Sequence, residues 1–413
     1  MTLTTVSVVV VSHGRPEDLL KCLTALRQQT HANFEIVVVA DASSLSAVDL
    51  QGVAATQVFD VANISQARNI GIALSAGELI AFIDDDAVAE PRWLEHLSGA
   101  FLDQKVGAAG GFVLGRNGIS LQWAGQSIDA TGTDHTLAIE ADKTAVPQVA
   151  PGFAVRTQGT NMMFRREVLR RLGGFDPAFA FYLEDSDLNM RIAADEIQTA
   201  IAPLAVVHHA FAPNANRRAD RGPADLHEIG ASSAVFHCKY LRERDWAPAR
   251  EAMFNAQRRR LLGFMVDGRS EPRRVEQCLD GLLRGYDEGM LRQSGNFPEL
   301  SERNTEFQPF SSDRHDPAED CVLHGHWRER HRLRRQAAEL TTSGHRVSLF
   351  LLHQTSFFHR MRYRMPGYWE QSGGVYGKSD RADPLWAYWR TADRLRREVE
   401  RIGAVRFPSE HFG

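Results

Sequence analysis

Hydrophobic residues in the first two hundred positions alternate between short continuous runs and stripes with helical spacing. Val6–Val11 is apolar except for Ser7, as expected for a strand buried on both faces. Phe34–Ala40 and Leu79–Ile83 are further runs of strand length. The helical stripes lie between these runs, at Glu17–Gln29 and Ser65–Ala76. Strand–helix–strand units of this kind predict a mostly parallel sheet with helices on both faces.

Polar clusters follow the predicted strands. Ser12–Pro16 follows the first strand, Asp41–Ser44 the second, and Asp84, Asp85 and Asp86 follow Leu79–Ile83. In open parallel sheets, ligands bind beyond the carboxyl ends of the strands. We therefore expect Asp41 and the aspartate triplet to lie at one edge of the sheet, in a binding site.

The pattern changes after about residue 220, where amphipathic helices are predicted at Leu226–Arg242, Ala249–Phe264 and Arg273–Leu291. Residues 294–317 are polar and irregular, and the tail then predicts a helix, Trp327–Leu340, and a strand, Arg346–Leu352. The predicted fold class is α/β, with a Rossmann-like sheet followed by a mainly helical C-terminal region. The predicted units are a catalytic domain over residues 1–220, a helical extension packed on it over 221–300, and a C-terminal region over 301–413. Acceptor binding or oligomerisation is the expected role of the last unit.

Composition and charge narrow the function. A net charge of -4 lacks the strongly basic character of most nucleic-acid-binding domains, so no nucleic-acid partner is expected. The four cysteines are far apart and form no C-x-x-C pair, which favours a reducing compartment. No apolar run approaches the roughly 18 residues of a membrane-spanning helix, and the chain begins a strand at once rather than a signal peptide. The expected location is the cytoplasm, with peripheral contact at the inner face of the membrane left open.

The aspartate triplet has two interpretations. Adjacent carboxylates raise one another's pKa, and a divalent cation such as Mn²⁺ or Mg²⁺ removes that cost. In an extended segment, Asp84 and Asp86 point to one side and Asp85 to the other. The alternative is an acidic turn that caps the helix beginning near Pro91.

Several motifs in order along the chain bear on this choice. They are Ser7–Ser12, Asp41 after Val37–Val39, Ala67–Gly71, Gly77–Asp86, Gly159–Met162, Gly173–Asp176, Tyr182–Leu188 and His208–His209. Together they resemble the family 2 glycosyltransferases of the GT-A fold, which are inverting, over about residues 5–240. The resemblance favours the metal interpretation.

The resemblance implies a nucleotide-sugar donor site. It implies that Asp41 reads the nucleotide base and that Arg68, with Asn69, belongs to the nucleotide pocket. Asp84 would contact the ribose or the metal, and Asp86 the metal and the diphosphate. Asp85 and Asn161 are further expected donor-binding residues.

Glu184, Asp185 and Asp187 begin an amphipathic segment, so their carboxylates lie at a helix N-terminus. Favourable helix-dipole placement, with an ion pair between Asp187 and Arg191, is one explanation. The resemblance implies instead that Asp185 is the general base that deprotonates the acceptor hydroxyl. Glu184 and Asp187 would then orient the helix or the acceptor.

His208 and His209 follow the apolar run Ile201–Val207. The resemblance implies that a histidine after this strand completes the metal shell, and imidazole is a normal Mn²⁺ ligand. Because adjacent strand residues face opposite sides, one of the two is expected to bind, with a slight preference for His208.

An arginine-rich stretch follows the predicted catalytic domain. Its members are Arg217, Arg218, Arg221, Arg242, Arg244, Arg258, Arg259 and Arg260. A solvated helix surface is one explanation, and attraction to an anionic lipid-linked acceptor or to a membrane surface is the other.

The predicted function is single-sugar transfer from a nucleotide-sugar, UDP- or dTDP-linked, to a glycan or glycoconjugate acceptor in bacterial surface polysaccharide synthesis. Processive members carry Q-x-x-R-W, whereas here Ala89 stands where the glutamine would precede Arg92-Trp93. A nucleotidyltransferase is an alternative, but the turn Ser12–Arg15 is short and poor in glycine for its phosphate loop. A catalytically inactive sugar- or partner-binding module is another, and homo-oligomer formation stays open.

Overall fold

The computed structural model describes residues 4–210, 218, 220, 222–295, 297, 300, 306–310 and 319–407. Up to residue 210, strands and helices alternate. The strands are β1 (Val6–Ser12), β2 (Phe34–Ala40), β3 (Ala55–Val58), β4 (Leu79–Asp84), β5 (Ala87–Ala89), β6 (Val106–Leu114), β7 (Leu121–Trp123), β8 (Gln126–Asp129), β9 (Asp134–Thr136), β10 (Phe153–Arg156), β11 (Met162–Arg165) and β12 (Gln198–His209). The helices are α1 (Pro16–Leu26), α2 (Ala42–Ala47), α3 (Ile64–Leu74), α4 (Trp93–Gly99), α5 (Arg166–Leu172) and α6 (Glu184–Ala194).

Most of these strands form one mainly parallel sheet in the order β3-β2-β1-β4-β11-β6-β12-β5. β1 is parallel to both β2 and β4, and β12 is parallel to β6. The reversed strands are β11, between β4 and β6, and β5, which pairs with the end of β12. A small antiparallel sheet, β10-β8-β9, lies apart from it.

The continuous valine run of β1 is buried because the sheet is covered on both faces. Val6, Val8 and Val10 pack on the face that holds α1, with Leu19 and Leu23. Val9 packs on the opposite face with residues of α3. Both faces of the sheet therefore contribute to the core, as expected for parallel strands.

The rest of the chain adds helices and a second sheet. Its elements are α7 (His227–Tyr240), α8 (Glu243–Val266), α9 (Pro272–Gly289), β13 (Asp320–His326), α10 (Arg330–Thr342), β14 (Arg346–His353), β15 (Arg360–Arg364), β16 (Tyr368–Gly374) and α11 (Thr391–Arg406). The second sheet has the order β13-β14-β16-β15. Among the described helices, none combines the length and the apolar character needed to cross a bilayer.

The second sheet and α11 contact the first part of the chain directly. Val88 of β5 and Ala25 of α1 pack in one cluster with Phe350, Trp369 and Ile402. This contact brings the C-terminal elements up to β5, the strand that follows the aspartate triplet.

The predicted α/β class with a mostly parallel sheet is confirmed, and the C-terminal region contains strands as well as helices. The arginines of the basic stretch that lie on α8 or precede it, Arg242, Arg244, Arg258, Arg259 and Arg260, are exposed. Arg217 and Arg221 lie outside the described residues.

Candidate active site

The aspartate triplet forms the turn between β4 and β5. Asp84 ends β4, and its side chain is 29% exposed, whereas Asp86 is buried. His209, at the end of β12, pairs with Ala87 of β5, which brings its Nε2 to 3.2 Å from Oδ1 of Asp86. One ligand atom each from Asp84, Asp86 and His209 lie within 4.8 Å of one another. Two carboxylates and an imidazole are a donor set that suits Mn²⁺.

The register of β12 against β5 separates the two histidines. His208 faces away from the aspartates, and its Nε2 lies 2.8 Å from Oε1 of Glu90. Its ring lies 4.6 Å from the ring of Trp369. The geometry therefore favours His209 over His208 as a metal ligand, against the slight preference from the sequence.

Asp85 points to the other side of the turn, as the strand alternation predicts. Its carboxylate accepts a hydrogen bond from the Ser12 hydroxyl at 2.6 Å and pairs with Arg15 at 2.5 Å. Burial raises the pKa of Asp85 to about 8, against the opposing effect of Arg15. Because its side chain is fully buried, Asp85 anchors the turn after β1, and the expected contact with the donor does not fit this arrangement.

Arg15 was not among the predicted site residues. Its guanidinium also lies 3.6 Å from Oδ2 of Asp86, so it offsets part of the charge of the triplet. Arg15 could have been predicted as a site residue from the sequence, since it follows β1 at the edge of the sheet where Asp84 ends β4.

Asp41 follows β2 and is the N-cap of α2. Its carboxylate accepts four hydrogen bonds, from the Gly14 N–H, both the N–H and the hydroxyl of Ser44, and the Ser43 hydroxyl. Burial alone would raise the pKa of Asp41, but these donors hold it well below its ordinary value. A carboxylate has about four acceptor positions, so recognition of a nucleotide base by Asp41 requires one serine hydroxyl to rotate away.

Arg68 on α3 connects the two acidic groups of the site. It is buried, and its guanidinium donates to Oε1 of Glu184 at 2.8 Å and to Oδ1 of Asp84 at 3.2 Å. It also donates to the Gly159 carbonyl at 3.1 Å. A Cβ at position 159 would lie 2.6 Å from the guanidinium, so only glycine allows this approach.

Glu184 and Asp185 begin α6 after an unusual turn. Tyr182 and Leu183 both have positive φ angles, of 75° and 65°, which costs energy for residues with a Cβ. The turn directs Glu184 towards Arg68, while Asp185 accepts a hydrogen bond from the Gly159 N–H at 3.0 Å. Burial raises the pKa of Glu184, and the neighbouring Asp185 raises it further.

Arg156 on β10 is a second cation that sequence reasoning missed. It pairs with Asp134, and its Nη2 lies 3.7 Å from Oδ1 of Asp185. No motif marks Arg156, because β10 is four residues long and its position over α6 depends on the small sheet.

Asp187 and Asn161 have structural roles. Asp187 is fully buried, accepts hydrogen bonds from Tyr240 at 2.8 Å and Arg191 at 2.9 Å, and pairs with Lys239, so it holds α6 in place. Asn161 is fully buried in the core. Its amide group donates to the carbonyls of Phe112 and Ala205 and accepts from the Trp93 indole.

These three hydrogen bonds use both amide hydrogens of Asn161. The expectation that Asn161 binds the donor therefore does not fit the structure. Asn161 directly precedes β11, which pairs with β4 and β6, so an amide at this position can join neighbouring strands.

Residues 7–173 match the family model described as glycosyl transferase family 2. The chain is 28% identical over 235 residues to the O-antigen biosynthesis protein RfbC of Myxococcus xanthus, covering 53% of this chain and 18% of RfbC. It is 27% identical over 181 residues to a glucosyl-dolichyl phosphate glucuronosyltransferase of Haloferax volcanii, covering 41% and 56% of the two chains. The chain thus spans less than two thirds of the length of each of these relatives.

Among solved structures, the chain is similar to the crystal structure of GalNAc-T7 with UDP, GalNAc and Mn²⁺. The identity is 17%, the TM-score is 0.44, and the match covers 58% of this chain and 48% of the other.

Proposed function

We propose that this chain, whose residues 7–173 belong to glycosyl transferase family 2, transfers one sugar from a UDP- or dTDP-sugar to a hydroxyl of a glycan or lipid-linked acceptor, with inversion. The observation that carries the proposal is the convergence of Asp84, Asp86 and His209 at the edge of the sheet where ligands bind. Asp185 is joined to this group through Gly159 and Arg68, and these contacts support a role for its carboxylate beside the proposed donor site.

The donor set of Asp84, Asp86 and His209 fits Mn²⁺, with Mg²⁺ as the alternative. Imidazole is a common ligand of Mn²⁺, whereas Mg²⁺ prefers oxygen ligands and retains several waters. A bound cation offsets the negative charge that builds on the diphosphate leaving group. Arg15 and Arg68 add positive charge on either side of the triplet.

Asp185 is the proposed general base. Asp185 lies in the first turn of α6 and accepts a hydrogen bond from the Gly159 N–H, which orients the carboxylate that would accept the proton of the acceptor hydroxyl. Glu184 is engaged with Arg68 at 2.8 Å, so it suits the role of an orienting residue rather than of the base. Arg156 keeps Asp185 in place from the side of the small sheet.

The test incubates the purified chain and Mn²⁺ with each of a panel of UDP-, dTDP- and GDP-sugars and measures the nucleoside diphosphate that is released. We expect one donor to be used and EDTA to stop the reaction. Asp185→Asn should lower kcat by a factor of about 10² to 10⁴, the usual contribution of a general base, with donor Kd unchanged. Asp195→Asn is the matched control, because Asp195 is the C-cap residue at the other end of α6 and its side chain is 43% exposed.

Normal turnover by Asp185→Asn would refute the assignment of the base. Release of sugar 1-phosphate rather than nucleoside diphosphate from the nucleotide-sugar would favour a nucleotidyltransferase, and donor binding without turnover would favour a sugar-binding module.

The exposed arginines of α8 support a polyanionic acceptor, such as a diphosphate-linked lipid, or contact with a membrane surface. We propose residues 1–220 as the catalytic domain and 221–300 as its helical extension. We propose acceptor binding or homo-oligomer formation for residues 301–413. Co-sedimentation with vesicles that contain anionic lipid, compared with neutral vesicles, tests the membrane contact.

A further inference from the structure

Arg406, at the end of α11, is 2% exposed and contacts both halves of the chain. Its Nε and Nη2 donate to the two carboxylate oxygens of Glu90, at 2.8 and 2.7 Å. Its Nη1 donates to the Ser348 hydroxyl on β14 at 3.0 Å, and its guanidinium lies 4.5 Å from the ring centre of Trp369. Since Glu90 also contacts His208, we call Glu90, His208 and Arg406 the Arg406 cluster.

Glu90 and His208 of the Arg406 cluster lie where β5 pairs with β12, next to the proposed metal ligands Asp86 and His209. Glu90 directly follows β5, and its N–H donates to the Val206 carbonyl on β12 at 3.0 Å. At the other end of the pair, the Ala210 N–H donates to the Asp86 carbonyl at 2.9 Å. Because neighbouring strand residues face opposite sides, His208 points to Glu90 while His209 points to Asp86.

β5 depends on contacts outside the main sheet. It is three residues long, and it is the edge strand of the sheet, paired only with β12 among the described residues. Three register pairs hold a strand weakly, whereas a bidentate pair of buried charges fixes position and direction. The Arg92 N–H donates to the Val405 carbonyl at 3.1 Å, so α11 also holds the segment that follows β5.

We infer that Arg406 is a positioning residue for the metal site: through Glu90 and His208 it fixes β5 against β12 and so sets the distance between Asp86 and His209. This inference rests on the metal site of the proposed function. It makes the C-terminal region a support of the proposed donor site through Arg406, without requiring that Arg406 contact the donor.

The simpler explanation is that Arg406 only stabilises the C-terminal region. Arg394 provides a matched control, because it is on the same helix, is 1% exposed and pairs with Glu398 of α11 at 3.0 Å. Its described contacts, to Glu398, His359 and the Trp389 ring, lie within the C-terminal region. A purely structural role predicts the same behaviour for variants of Arg394 and Arg406.

The experiment measures Mn²⁺ affinity by electron paramagnetic resonance, and hydrogen exchange of peptides over residues 84–92, on the full chain. Arg406→Met should weaken Mn²⁺ binding about tenfold, the lower end of the loss seen when groups that orient metal ligands are removed. Exchange at Ala87–Ala89 should also become faster. Arg394→Met should leave both quantities within about twofold of wild type at the same folded fraction. Equal behaviour of the two variants would overturn the inference.

Arg406→Met leaves the buried Glu90 carboxylate without the guanidinium that pairs with it, so this variant can fail to fold. The double variant Glu90→Gln/Arg406→Met removes both charges and decides in that case. A folded double variant with wild-type Mn²⁺ affinity and wild-type exchange would contradict the positioning role. If the wild-type chain binds no Mn²⁺, the proposed metal site is refuted, and exchange at Ala87–Ala89 still decides whether Arg406 holds β5.

Discussion

Asn161 offers a sharp test of the distinction between a buried structural amide and a ligand-binding one. Asn161→Ala removes the partners of three buried groups: the Trp93 indole and the carbonyls of Phe112 and Ala205. Each buried polar group left without a partner costs about 1–3 kcal/mol, so for three groups we expect a loss of about 3–9 kcal/mol in the free energy of unfolding. Asn117→Ala is the control, since Asn117 also takes part in three side-chain hydrogen bonds but is exposed.

Water can replace the hydrogen bonds of Asn117, so the control should lose no more than about 1 kcal/mol. Urea unfolding followed by circular dichroism gives both values, and calorimetry under folding conditions gives the Kd for nucleoside diphosphate. We expect Asn161→Ala to lower stability and to leave the Kd unchanged. A stable Asn161→Ala variant with weakened nucleotide binding would refute the structural assignment and restore the ligand-binding one.

Two further perturbations follow from buried charges. Arg68→Met leaves Glu184 buried without its cation and should lower the free energy of unfolding, measured in urea titrations, by about 3–5 kcal/mol. The control Arg171→Met breaks a pair with Asp195 whose side chains are 58% and 43% exposed, and it should cost no more than about 1 kcal/mol. Equal losses in the two variants would contradict the role of Arg68. Burial lowers the pKa of His359 from 6.5 to about 4, so its contribution to stability is complete above pH 6.5 and is lost as the pH falls towards 4, by about 3 kcal/mol. Urea midpoints measured across this range should fall less steeply for His359→Gln, and an unchanged slope would show that His359 is not the group responsible.

Local patterns were sufficient for the elements that carry most of the site. The run Phe34–Ala40 is a strand with those bounds, and the amphipathic segment expected to begin at Glu184 is α6, Glu184–Ala194. Continuous apolar runs and helical stripes are local signals, so the carboxyl edge of the sheet could be identified before the strand order was known. The placement of Asp84 and Asp86 at that edge followed from this.

Features that depend on pairing between distant strands were missed. The choice between His208 and His209 depends on the register of β12 against β5, and a three-residue strand has no pattern that predicts it. The structural role of Asn161 was missed for a similar reason, because its hydrogen-bond partners lie 44 to 68 residues away in the chain. The helix α11 was also missed, although Leu395, Val399 and Ile402 follow the helical spacing that would have predicted it.

The central claim is that Asp84, Asp86 and His209 hold a divalent cation beside the nucleotide-sugar donor. The most direct measurement is the anomalous difference density of crystals grown with Mn²⁺ and a nucleoside diphosphate. We expect one strong peak within bonding distance of Asp86 and of Nε2 of His209, with the diphosphate bound to the same ion. A bound nucleotide with no peak there, or a peak coordinated by His208 instead, would contradict it.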